Sequence, residues 1–359
     1  MGWNAKDSLG FSGTMEVNRF EANYTMFPAK PEQALDGKRA YDVFNGDADG
    51  LCALHQLRLA EPRDAVLVTG AKRDIALLAR VPVEQAREVC VLDISLDSNV
   101  DALRKLLDAG CKVRYFDHHG AQQAFEHGAL ELHWDESPEA CTSILVDRYL
   151  NGKYRSWAIA AAFGDNLEGV AQAMARDMGM TAQQAEALQR LGTVLNYNAY
   201  GENLADLHVD PEALFRALQP YADPFDFISQ SAEYRVLVEG YREDAHRMDS
   251  LAPRWSAACG DIYVLPDAAW ARRISGIFAN KLATAGAGKS FAVLTEQSSG
   301  CFGVSVRSGA PNEAPAHRFC EGFESGGGRK LAAGVNRLPA QEIESFRERF
   351  FSYFGAAAL

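Results

Sequence analysis

Tyr115-Phe116-Asp117-His118-His119-Gly120 closes an apolar run, Cys111-Lys112-Val113-Arg114-Tyr115-Phe116, with a carboxylate and two imidazoles. The run reads as a short buried strand whose carboxyl end delivers chemistry, the place where open α/β sheets bind ligands. Adjacent histidines on extended backbone point in different directions, so one can bind a metal while the other faces a substrate.

Other segments repeat the pattern. Asp42-Val43-Phe44-Asn45-Gly46-Asp47-Ala48-Asp49-Gly50 runs an apolar strand into two aspartates spaced i, i+2, and Val89-Cys90-Val91-Leu92-Asp93 ends in one. Residues 158–163 are small and apolar and run into Gly164-Asp165-Asn166. Four apolar segments that each end in Asp or His are hard to explain by packing. Three of them look like parallel strands separated by helical stretches, which places their ends on one edge of a sheet. Oxygen donors with an imidazole suit Mn²⁺ or Mg²⁺ better than zinc.

The set Asp-x-Asp-Gly, Val-Leu-Asp, Asp-His-His and Gly-Asp-Asn, in that order, resembles the DHH phosphoesterase superfamily from about residue 41 onward. That superfamily includes RecJ nucleases, nanoRNA and cyclic-dinucleotide phosphodiesterases and exopolyphosphatases. The resemblance implies two metal ions, the first held by Asp47 and Asp93, the second by Asp49, Asp93, His118 and Asp165. Two ions about 3.5–4 Å apart polarise a phosphoryl group and activate water for in-line attack. By the same resemblance His119 bonds the scissile phosphate or protonates the leaving oxygen. Asp117 then orients a neighbouring imidazole. One position departs from the family. Where a histidine usually completes the first metal site this chain has Asn45, and an amide oxygen is a weaker ligand.

At 359 residues, two domains are the natural expectation. Residues 1–38 lack a clear period and read as an extension, with Met15 and Met26 as alternative starts. Residues 39–240 read as the α/β metal-binding domain, a mostly parallel sheet with helices on both faces. Residues 241–253 read as a charged helical linker, and 254–359 as a smaller mixed-sheet α/β domain. Within the first domain, Lys72 and Arg73 read as a solvated loop before phosphate-reaching residues, Thr142 or Ser143 as a helix cap, and His55 as a poor candidate ligand. Pro211, Pro220 and Pro224 read as helix breakers, and Tyr197 and Tyr200 as core before base-stacking residues.

A net charge of -12 argues against a protein that grips long duplex nucleic acid. Metals and a few arginines can still supply a local positive field for a small anion. Seven cysteines without a C-x-x-C pair point to a reducing cytoplasm. No run of 18 apolar residues occurs, so no membrane span is expected. A homodimer is compatible with all of this.

In the second domain, Gly288-Lys289-Ser290 imitates the end of a phosphate-binding loop but lacks its first glycine and precedes a strand. Gly303-Val304-Ser305-Val306-Arg307-Ser308 with Gly326-Gly327-Gly328-Arg329 is more informative. Consecutive glycines can form an anion-binding nest, and Arg307 can fork onto a phosphate. The pair resembles the DHH-associated C-terminal domain, which makes Ser305, Arg307, Gly326, Gly327, Gly328 and Arg329 the expected substrate residues. That family usually has histidine where Arg329 stands. The expected activity is Mn²⁺-dependent hydrolysis of short oligonucleotides or linear dinucleotides. Cyclic dinucleotides, 3′-phosphonucleotides and polyphosphate are alternative substrates. A processive RecJ-type exonuclease is expected to carry a further nucleic-acid-binding module. A non-catalytic scaffold is the alternative from another class, disfavoured because a scaffold has no use for mutually repelling carboxylates.

Overall fold

Val43 and Phe44, Val91 and Leu92, and Tyr115 and Phe116 are consecutive, fully buried pairs. In each pair the first side chain enters one core and the second enters another. Strand residues alternate between faces, so a strand buried on both needs cover on both. The computed structural model describes residues 37–121, 126–286 and 288–356; most of the expected extension, residues 1–36, lies outside them.

Strands β1 (Arg39–Phe44), β2 (Val66–Val68), β3 (Ala86–Leu92), β4 (Lys112–Asp117) and β5 (Leu130–Trp134) form a parallel sheet in the order β2-β1-β3-β4-β5. The helices of this lobe are α1 (Ala48–Ala60), α2 (Val100–Asp108), α3 (Thr142–Tyr149), α4 (Arg155–Gly164), α5 (Glu168–Asp177), α6 (Ala182–Asn198), α7 (Pro211–Leu218), α8 (Pro224–Gln230) and α9 (Ala232–Met248). Leu103, Leu106 and Leu107 of α2 cover one face, while α1, α3, α4 and α6 pack on the other. The apolar run before Asp165 is the helix α4, so that aspartate leaves a helix end and not a strand. Pro211 and Pro224 open α7 and α8 instead of breaking them, because a first-turn N–H has no helical partner to lose. The charged stretch after residue 240 is no separate linker helix; it is the second half of α9.

Strands β6 (Trp255–Ala257), β7 (Gly260–Leu265), β8 (Ser290–Glu296), β9 (Cys301–Arg307), β10 (Gly326–Gly328) and β11 (Ala332–Pro339) form the second sheet, ordered β10-β11-β9-β8-β7-β6. It is mixed: β7 and β8 are parallel and the remaining neighbours antiparallel. Helix α10 (Ala269–Ala285) covers one face, and α11 (Ala316–Cys320) and α12 (Ile343–Ala356) cover the other with Phe319, Phe346, Phe350 and Phe354.

The two lobes share a core and a polar bolt. Tyr197 of α6 and Met248 of α9 pack into the α10 core with Ile274 and Phe278. Arg273 of α10 donates to Asp244 of α9 through Nε at 2.9 Å and Nη2 at 2.8 Å, and to the Tyr197 hydroxyl at 3.1 Å. Arg272 forks onto Asp206 at 2.7 and 2.8 Å. Burial would raise the Asp244 carboxyl, but His208, Tyr197 and Arg273 bring it down to about 2.

Candidate metal centre

Asp47 leaves β1 as the N-cap of α1, its Oδ1 accepting the N–H groups of Asp49 at 3.0 Å and Gly50 at 3.1 Å. Asn45 closes the same loop by accepting the Asp47 N–H at 3.3 Å. The loop folds back so closely that a Cβ on Gly50 would stand 2.2 Å from the Asn45 carbonyl oxygen. Space, and not a left-handed backbone, demands glycine there.

Asp49 faces α3. Its two oxygens accept the Thr142 and Ser143 N–H groups, each at 2.7 Å. The expected hydroxyl cap is therefore replaced by a distant carboxylate. The Thr142 hydroxyl instead donates to Asp93 Oδ1 at 3.4 Å, and that of Ser143 to the Asp49 carbonyl at 2.9 Å.

Asp93 ends β3 with a left-handed backbone, φ 59°. This conformation costs an L-residue roughly 1–2 kcal/mol, and aspartate is among the few that tolerate it. Asp165 caps the C-terminus of α4. His118 follows β4, and its Nε2 stands 3.5 Å from Asp93 Oδ1, 3.7 Å from Asp165 Oδ2 and 3.8 Å from Asp49 Oδ2. Donors about 2.1 Å from a shared ion lie about 3–4 Å apart. Two overlapping triplets, Asp93-His118-His119 and Asp49-His118-Asp165, each bring three donor atoms within 4.8 Å of one another. Burial and then the neighbouring carboxylates push Asp93 well above the usual range and Asp165 up to about 6. Carboxylates forced together in this way are relieved by a cation.

His119 points its Nδ1 at Asp117 Oδ1, 2.7 Å away, so Nδ1 carries the proton and Nε2 is turned outward. Burial alone would lower this imidazole; Asp117 outweighs it and raises it. The Trp134 indole donates to the His119 carbonyl at 2.7 Å and fixes the turn. The strand that supplies Trp134 runs into Asp135, which pairs with Arg148 at 2.8 Å and not with the centre, and no motif marked the indole.

Lys72 overturns the solvated-loop reading. Its Nζ lies 2.5 Å from Asp47 Oδ2, 3.1 Å from Asn196 Oδ1 and 3.9 Å from Asp165 Oδ1. Burial would raise Asp47, but this ammonium and the surrounding hydrogen bonds bring it to about 2. Neither donor triplet among the described residues includes Asp47. His55 is no ligand either: it is buried, with Nε2 2.8 Å from the Tyr221 carbonyl and its ring edge-on to Trp157.

In the second lobe Gly327 pairs with Gly334, Gly334 with Ser305, and Ser305 with Val293, one rung across four strands. The glycines thus form an edge strand, not the loop nest expected, because the ladder to β11 claims them. Arg307 donates Nε to Asn280 Oδ1 at 2.8 Å. Arg329 begins the tight turn from β10 to β11, its N–H on the Ala332 carbonyl at 2.8 Å and its side chain exposed. Tyr197 is core. Tyr200 is half-buried, with Lys72 Nζ 5.6 Å from its ring centre, and it lies within electrostatic reach of Arg73 and Arg307.

No protein-family model matches the chain, and no curated protein matches it. Solved structures do. RecJ from Thermus thermophilus in complex with Mn²⁺ superposes with a TM-score of 0.63 at 19% identity, over 89% of this chain and 52% of that one. The chain therefore spans about half the length of that RecJ; a second structure of it contains Mg²⁺. An exonuclease RecJ bound to manganese gives 0.61 at 20% identity, over 89% of this chain and 90% of that one. The pGpG-specific phosphodiesterase PggH from Vibrio cholerae gives 0.54 at 11% identity, over 89% of this chain and all of that one (100%). The chain has the fold these proteins share. No helix among the described residues is long and apolar enough to cross a membrane.

Proposed function

We propose that the protein is a metal-dependent phosphodiesterase that hydrolyses short oligonucleotides or linear dinucleotides to nucleoside 5′-monophosphates. Mn²⁺ is the proposed metal, with Mg²⁺ as its substitute. The observation that carries this reading is the convergence of Asp49, Asp93 and Asp165 on His118 Nε2 at the carboxyl edge of a parallel sheet. These donors arrive from four separate segments, and packing alone gives no reason to gather them. Asp49, Asp93, His118 and Asp165 would hold a divalent ion, which would polarise the phosphoryl group and make water a stronger acid. Water attacks phosphorus and gives up a proton to solvent, the bond from phosphorus to the 3′-oxygen breaks, and His119 in its doubly protonated form gives the Nε2 proton to that leaving oxygen. Asp117 holds the Nδ1–H, which raises the proton affinity of the ring and aims Nε2.

A short substrate is favoured by three features. The net charge of -12 opposes a long polyanion. Arg307, Arg73 and Lys72 gather around Tyr200, a compact cationic patch suited to one or two phosphates. The lobes are bolted together through Arg272 and Arg273, which holds the cleft at one width. PggH, whose whole length this chain matches, is specific for a linear dinucleotide.

The test is product analysis with Mn²⁺ on a linear dinucleotide, its cyclic form, a five-nucleotide RNA and polyphosphate. Selective release of nucleoside monophosphates from the linear dinucleotide is expected, with Asp93→Ala inactive. Turnover of none, with Mn²⁺ still bound, moves a binding scaffold or a 3′-phosphonucleotide phosphatase forward. Activity in Asp93→Ala equal to wild type removes Asp93 from the centre.

A further inference from the structure

Asp47 differs from the other acids of the centre in carrying an ammonium at hydrogen-bond distance. Its Oδ1 is committed to two N–H groups at 3.0 and 3.1 Å, and its Oδ2 to Lys72 at 2.5 Å. Asn45, which stands where the family resemblance places a histidine ligand, has turned its amide oxygen back onto the Asp47 N–H. The residues that would build a first metal site are thus occupied with one another, and the only cation among them is an ammonium.

That ammonium is held by more than one contact. The Lys72 N–H bonds the Ala199 carbonyl at 3.0 Å, which ties its loop to the end of α6. Nζ shares itself between Asp47 and Asn196 and reaches toward Asp165 on the opposite wall. The loop is seated against Gly46, where a Cβ would stand 2.3 Å from the Gly70 carbonyl oxygen, so the close approach is built into the sequence. A fixed positive charge bridging Asp47 and Asp165 repels a second divalent ion from the space between them; it reaches the cluster around His118 Nε2 only at 3.9 Å, through the Asp165 oxygen that does not face the imidazole.

We propose that Lys72 takes the place of the first metal ion, so that this chain binds one divalent ion, at Asp49, Asp93, His118 and Asp165, where the DHH pattern implies two. The ammonium offers a phosphoryl oxygen charge and a hydrogen bond in place of coordination. The inference rests on the metal reading of the centre, and its test is a count of ions, independent of turnover.

Metal-stripped protein is titrated with Mn²⁺, with bound ion counted by equilibrium dialysis and its spectrum followed by electron paramagnetic resonance. One ion per chain with an uncoupled spectrum is expected. Two tightly bound, exchange-coupled ions overturn the proposal while leaving the metal centre intact; no bound ion overturns both. The double variant Asn45→His/Lys72→Ala is expected to bind two coupled ions, and Lys72→Arg, which keeps the charge, only one. A folded double variant that still binds one ion removes Lys72 from the role. If that variant does not fold, the wild-type count alone decides.

Discussion

His119 Nδ1 stands 2.7 Å from Asp117 Oδ1, and Asp117 is fully buried with its second oxygen lacking a hydrogen bond among the described residues. A buried carboxylate with one strong partner exists to orient that partner. Asp117→Asn keeps the shape but can present an N–H to Nδ1 and favour the other tautomer. Loss of such an outer partner typically lowers activity about 10–100-fold. We expect that drop in kcat on a linear dinucleotide with KM nearly unchanged. Equal losses in both parameters, or none, would remove Asp117 from the positioning role.

Asp49 anchors α3 and is a proposed ligand of the ion, so its removal tests structure and chemistry together. In Asp49→Ala the buried Thr142 and Ser143 N–H groups lose their acceptor. An unsatisfied buried donor costs about 1–3 kcal/mol, offset here by relief of repulsion from Asp93 and Asp165. A net loss of about 2 kcal/mol is expected in urea unfolding with chelator present. With Mn²⁺ added, wild type should gain stability and the variant should not. Equal gains in the two proteins would take Asp49 out of the metal site.

How much of this was legible follows from what each residue contacts. Asp47, Asp49, Asp93 and His118 sit at the ends of apolar runs, so their common edge could be read from strand periodicity alone. Asp165 could be found by its motif, although its element is a helix. The pairing of Lys72 with Asp47 and Asn196 could not, because those partners are 25 and 124 residues away. Arg273 was hidden for the same reason, in an amphipathic helix where an arginine normally reads as solvated. The glycine run was misread because three glycines satisfy a nest and an edge strand equally well until β11 is in place.

Arg307 and Arg329, both proposed substrate residues, stand in different settings. Arg307 is half-buried and pre-positioned by Asn280, whereas Arg329 is exposed at a turn. Arg307→Ala should raise KM about tenfold or more, consistent with a charged hydrogen bond of about 1.5–3 kcal/mol. Arg329→Ala should raise it less. An unchanged KM in Arg307→Ala would exclude that residue from the phosphate site, and the reverse ranking would place the substrate nearer the β10–β11 turn.

The Arg273–Asp244 pair makes the relation of the lobes testable. Arg273→Met leaves Asp244 buried with only Arg247, Tyr197 and His208 about it. Breaking a buried pair costs about 3–5 kcal/mol, and the remaining donors argue for the lower end. The double variant Arg273→Met/Asp244→Asn should recover part of that loss, since no unpaired charge remains. Additive losses in the two single variants would show that the pair does not couple the lobes.

His55 gives the acid limb of stability. Burial lowers its imidazole to about 4, against an ordinary value near 6.5, despite the hydrogen bond to Tyr221. As pH falls below 6.5 the unfolded chain takes up a proton that the folded chain refuses. The contribution of neutral His55 is therefore complete above that pH and is lost as pH falls toward about 4, where both states are protonated. The gap corresponds to about 3 kcal/mol in all, or on the order of 1 kcal/mol per pH unit below about 6. His55→Gln retains a donor for the Tyr221 carbonyl and does not titrate. Urea unfolding with chelator present should show wild type losing more stability than His55→Gln between about pH 7 and pH 5, by on the order of 1–2 kcal/mol. Parallel losses in the two proteins would mean that another group carries the acid sensitivity.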